Sequence, residues 1–201
     1  MTNSVPSEIS RLNERRNRVG HWNSSFLLPT LQQYRQKRFN LEIGCGHGHW
    51  LTSFAQTQSN KIFVGIDLIS KRIHKAVSKS SKRKISNVLF LKAEANEFLD
   101  SLDSSVWIND TYIMYPDPWP KTRHYKRRLI QDSFLELLYS KTPVSGNLFF
   151  MTDHSSYFDW AYSKIKMSHL WDISAGEWPH DSPSYFSEIL PCNNYFKATR
   201  V

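Results

Sequence analysis

The sequence predicts an α/β fold, a mostly parallel seven-stranded sheet with one antiparallel strand and helices on both faces, and three observations carry this. From Phe39 to Met167 short apolar runs alternate with stretches of helical period, the pattern of parallel strands joined by crossover helices. Five successive strand ends carry glycine or polar residues, and in an open sheet those ends face the ligand crevice. Beyond Trp171 come Pro179, Pro183 and Pro191, then an extended run, Tyr195 to Val201, which suits a terminal strand pair with one antiparallel member at or inside the sheet edge.

Residues 1–24 show no sustained periodicity and several bases (Arg11, Arg15, Arg16, Arg18), so they read as an irregular, partly flexible arm that either orders on a nucleic acid or is a solvated tail. Residues 25–201 read as a single domain, a length that suffices for a full sheet covered on both faces. Its elements follow in order: strand 39–43, helix 49–57, strand 61–67, helix 70–80, strand 88–91, helix 94–102, strand 110–115, helix 127–140, strand 146–152 and helix 155–167.

Leu41-Glu42-Ile43-Gly44-Cys45-Gly46-His47-Gly48 closes the first strand, and Asp67 stands nineteen positions after Gly48 at the end of the second. Glycines at alternate positions let the chain turn sharply and bring bare backbone against a ligand. A phosphate loop would carry Lys and Ser or Thr after its last glycine, whereas here His49 and Trp50 follow. Glu42 would repel a pyrophosphate and suits a cationic ligand, and Asp67 can accept from ribose hydroxyls. S-adenosylmethionine, with an ammonium, a sulfonium and no phosphate, fits this pair best. Glu94, followed by Ala95, reads either as an acceptor for an adenine amino group, with Ala95 letting the ring lie flat, or as the acid at a helix N-terminus. The two are compatible.

Tyr115-Pro116-Asp117-Pro118-Trp119-Pro120 is the most specific local signal. Its prolines restrict the chain so that Asp117 is held in one geometry, and Asp117 with Trp119 offers hydrogen bonding and stacking to a flat base. A proline-stiffened turn with Trp119 as a lid on the core is the plainer reading. Lys121, Arg123, His124, Tyr125, Lys126, Arg127 and Arg128 follow, either a phosphate-gripping edge or a solvated helix start, where cations oppose the macrodipole. The run Lys71 to Lys84 reads as an exposed helix face, with nucleic-acid contact the alternative.

The net charge of +8 points toward a polyanionic partner. No stretch approaches the roughly 18 unbroken apolar residues of a membrane span, and the polar start lacks the apolar core of a signal peptide, so a cytoplasmic protein is expected. Cys45 and Cys192 lack metal-site spacing and read as free thiols, with no metal expected.

From Leu41 to Asp153 the chain resembles the bacterial tRNA (guanine-N7-)-methyltransferase family, on Pro-Asp-Pro-Trp-Pro-Lys followed by Arg-His-x-Lys-Arg-Arg. The resemblance implies a Rossmann-like class I methyltransferase that uses S-adenosylmethionine to methylate guanine N7 in the tRNA variable loop, as a monomer or homodimer. It implies cofactor or catalytic roles for Glu42, Asp67, Glu94 and Asp117, substrate roles for Lys121 and Asp153, and RNA contacts along 123–128. The family's C-terminal Thr-x-x-Glu finds its nearest match in Ser184-Tyr185-Phe186-Ser187, which keeps a hydroxyl at Ser184 and lacks the acid. Two further readings stand beside it. One is a tRNA-binding protein of this fold with weak or lost catalysis. The other is an amino-methylating nucleic-acid methyltransferase, whose proline loop would begin with Asp or Asn.

Overall fold

A computed structural model describes residues 8–174, 176–180 and 194–201. Ser184, Ser187 and Cys192 lie outside the described residues. The chain opens with α1 (Glu8–Trp22), a π-helical turn (Asn23–Leu27) and α2 (Leu28–Gln33), and then enters the alternating part. There β1 (Arg38–Ile43), α3 (His49–Thr57), β2 (Phe63–Asp67), α4 (Ser70–Lys82), β3 (Val88–Lys92), α5 (Ala95–Asp100) and β4 (Trp107–Met114) follow one another. A short 3-10 turn (Thr122–Arg127), α6 (Asp132–Lys141), β5 (Asn147–Thr152), α7 (Ser155–Ser168), β6 (Trp171–Ser174) and β7 (Asn194–Arg200) complete it.

The seven strands lie in the order β3-β2-β1-β4-β5-β7-β6. The first five pair in parallel, and β7 runs antiparallel between β5 and the edge strand β6. The antiparallel strand is therefore inside the edge. Strand order reverses between β1 and β4, where the register shifts between Phe39 and Leu41, and the crevice of such a sheet opens at the carboxyl ends beside that point.

Alternation along the strands divides the core between two faces. Leu41, Ile43, Val64, Ile66, Ile113 and Phe150 meet α1, α2, α5, α6 and α7 on one side. Phe63, Phe90, Tyr112 and Phe149 meet Trp50, Leu51 and Phe54 of α3 and Ile73 and Ala76 of α4 on the other.

Two expectations are corrected. From Glu8 onward the N-terminal segment is not irregular: α1 occupies Glu8–Trp22, with Val19 and Trp22 buried in the core. Three of its arginines are held internally, because Arg15 pairs with Glu97 at 3.0 Å, Arg16 with Asp100 at 2.9 Å, and Arg18 donates to the Lys92 carbonyl. Long-range docking on α5, which local periodicity cannot register, orders this helix. The helix expected over 127–140 begins at Asp132. The basic run forms the separate 3-10 turn, after which Arg128 is extended (φ −60°, ψ 140°), so the argument from cations at a helix N-terminus does not apply. The Gln131 amide donates to the Tyr125 and Arg128 carbonyls and closes that break.

Candidate active site

The glycine loop leaves β1 at the switch point. The N–H groups of Gly44 and Cys45 both donate to the Ile66 carbonyl (2.9 and 3.0 Å), and that of Gly48 donates to the Cys45 carbonyl (2.8 Å). All three glycines have positive φ: +81° at Gly44, +54° at Gly46 and +64° at Gly48. Their surroundings differ. A Cβ on Gly44 or Gly46 would project into open space, whereas one on Gly48 would lie 2.8 Å from both Ala76 and Phe90. Gly48 therefore has a packing reason of its own to be glycine, the close approach of the loop to α4 and β3.

Asp67 is buried behind the loop. Its carboxylate accepts from the Gly46 N–H (3.0 Å) and the Ile69 N–H (2.8 Å), and Arg72 lies 3.5 Å from Oδ2. The acid that ends β2 therefore ties the glycine loop to the start of α4. Glu42 is 4 % exposed, and burial, reinforced by the charge of Asp67, pushes its carboxyl up to about 8. Its Oε2 is buried with no hydrogen-bond partner. Glu42, Gly44, Gly46, Arg72, Met114 and Tyr115 line one cleft. The glycine loop and the proline loop thus share a wall. Burial, with Lys75, Lys79 and Arg72 close by, holds the His47 imidazole below its ordinary range.

Glu94 is the N-cap of α5: its carboxylate accepts from the Glu97 N–H (3.0 Å) and the Asn96 amide (3.1 Å). Ala95 is buried as the first residue of that helix. Neither lines the cleft, although the Ala93 N–H donates to the Asp67 carbonyl and links the two strand ends.

The proline loop follows β4. Tyr115 and Trp119, each preceding a proline, take positive φ (49° and 44°), a conformation costly for aromatic residues that persists where surrounding contacts over-determine it. The Tyr115 N–H donates to the Met151 carbonyl at 2.9 Å. Asp117 is exposed at the crest, as are Lys121 after the loop and Asp153 after β5. Trp119 meets His124 edge-on at 5.8 Å, and Arg127 lies 4.9 Å over its ring. Arg123, Lys126 and Arg127 are exposed, and His124 is half-buried.

Arg128 is corrected from an RNA contact to an internal brace. It is 2 % exposed, its Nε donates to the Pro118 carbonyl (2.9 Å), and its terminal nitrogens donate to the carbonyl and hydroxyl of Ser156. Tyr125 (3.7 Å), Tyr157 (4.9 Å) and Trp160 (5.4 Å) surround its guanidinium. One buried cation thus joins the proline loop to the start of α7, just after Asp153.

Local reading passed over Arg72, Trp178 and His180. Arg72 is one base among many on α4, and only its place five residues after Asp67 marked it. The Trp50 indole donates to the His180 carbonyl (3.1 Å), the His180 ring stacks on Phe54 (4.9 Å, 14°), and Trp178 packs on Trp50 and Phe149. The aromatics near Pro179 were the available signal, without a period to place them. Among the described residues no group of His, Cys, Asp or Glu is arranged to hold a metal, and no helix is long and apolar enough to cross a membrane.

Against known proteins, a family model described as "Putative methyltransferase" matches residues 36–190. The chain is 36% identical over 132 residues to a tRNA (guanine-N(7)-)-methyltransferase of Wolbachia pipientis, covering 65% of this chain and 59% of that protein. Enzymes of the same name from Syntrophotalea carbinolica (35% over 117 residues; 58% and 50% covered) and Mycoplasma genitalium (32% over 136; 67% and 64%) also match. The chain spans about half to two thirds of the length of these relatives. Among solved structures, an aminoglycoside resistance methyltransferase (TM-score 0.58, 15% identity, 87% and 92% covered) and precorrin-6y C5,15-methyltransferase of Geobacter metallireducens (0.58, 12%, 87% and 86%) share the fold.

Proposed function

The chain belongs to the methyltransferase family that it matches over residues 36–190, and on that premise we propose that it transfers a methyl group from S-adenosylmethionine to N7 of a guanine in tRNA, in the variable loop. The observation that carries the reading is the single cleft lined both by Glu42 and the glycine loop and by Met114 and Tyr115, where the proline loop begins.

The residues present fit the cofactor. Glu42 brings a buried carboxylate oxygen without a partner to a cleft wall, a match for a cationic amino group. A carboxylate offers about four lone-pair sites; Asp67 has three donors, which leaves capacity for a ribose hydroxyl. Glu94 accepts from two donors and retains capacity for an adenine amino group beside Ala95. Gly44 and Gly46 leave open the space that side chains would fill. When bound, S-adenosylmethionine supplies an electrophilic methyl on a sulfonium.

Guanine N7 carries an in-plane lone pair and loses no proton on methylation, so the site needs no strong general base. Asp117 instead orients the guanine through its N–H donors, lies close to the cofactor, and favours the positive charge that the base acquires. Arg128 keeps the loop that carries Asp117 in place through the Pro118 carbonyl. Lys121 and Asp153 engage the guanine nucleotide, and Arg123, His124, Lys126 and Arg127 grip flanking phosphates, with Trp119 among them. A tRNA substrate sets the work in the cytoplasm.

Labelled S-adenosylmethionine and unmodified tRNA test the reading, with strand cleavage at N7-methylguanine as the readout. Cleavage at a guanine is expected, and Asp117→Asn should lower turnover about 100-fold with tRNA affinity retained. N6-methyladenine in the product, or tRNA binding without transfer, would replace this reading with one of its alternatives.

A further inference from the structure

The basic face of α4 is not used by the site above. Residues 70–84 contain no acid. Lys71, Lys75, Lys79 and Arg83 recur every four residues along about 18 Å of helix, and His74 and Lys82 flank them. Like charges at this spacing repel one another, so the stripe is unfavourable in a free helix. The macrodipole accounts for cations in the last turn, Lys79 and Lys82, but opposes Lys71 and leaves Lys75 unexplained. Lys71, His74, Lys75, Lys82 and Arg83 are exposed, and among the described residues no ion pair holds any of these bases.

The stripe runs beside the glycine loop. At its start Arg72 meets Asp67, and farther along the Lys79 ammonium donates to the His47 carbonyl of the glycine loop at 2.9 Å. Burial, and after it the neighbouring Arg83, bring Lys79 down to about 8. A polyanion lying along this face borders the cofactor cleft. We propose that the exposed face of α4 is a second RNA-backbone surface, on which Lys71, Lys75 and Arg83 hold phosphates of the same tRNA whose guanine enters the cleft. The inference rests on the tRNA reading above.

The test compares the wild-type chain with Lys71→Gln/Lys75→Gln/Arg83→Gln and with a control of equal charge change elsewhere, Lys37→Gln/Arg38→Gln/Lys166→Gln. Unmodified tRNA is titrated at several salt concentrations, and S-adenosylmethionine binding is measured without RNA. The α4 variant should bind tRNA about tenfold more weakly, with a salt slope shallower by about 2, each lost phosphate contact contributing about 0.7–0.9. Its cofactor affinity should be unchanged, which also shows that it is folded, and the control should resemble the wild type. An α4 variant with wild-type affinity and slope overturns this inference alone. Wild-type protein that binds no tRNA overturns the functional reading together with it. Retention of wild type but not the variant by phosphatidylserine vesicles, with tRNA binding unaffected, assigns the face to a membrane and overturns it too.

Discussion

Arg128 donates to two backbone carbonyls from within three aromatic rings, so Arg128→Ala would leave buried acceptors unpaired and a void between loop and helix. A loss of roughly 3–5 kcal/mol in urea unfolding is expected, with Arg128→Lys intermediate because it keeps the charge but not the fork. Glu42 governs a pH dependence. From the ordinary 4.5 to about 8, the folded protein holds a proton that the unfolded chain has released, so stability falls as pH rises across that window. Glu42→Gln should flatten this slope between pH 5.5 and 8.5 in urea midpoints, and should weaken S-adenosylmethionine binding. The groups against Glu42 act in one direction: Asp67 repels its ionised form, and the Cys45 thiol beside both is itself pushed up. Glu42 and Asp117 could be picked out of the sequence because an acid just before a glycine loop or between prolines is locally unusual, and Asp67 because it ends the apolar run of the second strand. The inward course of Arg128 could not, because Tyr157 and Trp160, which enclose it, lie about thirty residues away.

At the scale of elements, the glycine loop passes from open surroundings at Gly44 and Gly46 to close packing at Gly48 within five residues. Gly48→Ala forces a side chain at positive φ into Ala76 and Phe90 and should cost about 2–4 kcal/mol in thermal or urea unfolding. Gly46→Ala meets open space and should cost about 1–2 kcal/mol, while calorimetry should show cofactor affinity reduced at least tenfold. Equal destabilisation by the two would show that the loop serves packing alone. The crossover helices α3, α4 and α7 were legible because their periodic apolar positions meet the sheet directly. Helix α1 was not. Its buried residues, Val19 and Trp22, are few, and its order comes from Glu97 and Asp100 on a helix some eighty residues away.

Across the whole molecule the cations differ in kind. Some close the structure on itself, as Arg15 does with Glu97, Arg72 with Asp67 and Arg128 with its aromatic cage. Others, on α4 and along 121–127, are exposed to solvent. The net charge of +8 describes their sum and says nothing of this division. By itself the sequence determined the alternating α/β pattern, the glycine turn with its acids and the stiff proline loop, because φ restrictions, strand and helix periods and the chemistry of adjacent residues act within a few positions. Only the tertiary structure decided which glycine packs against its neighbours, which arginine is buried, and that the glycine loop and the proline loop share one cleft. Those outcomes depend on burial and on contacts between strands and helices far apart in the chain, and a local pattern does not specify which distant surface a side chain meets.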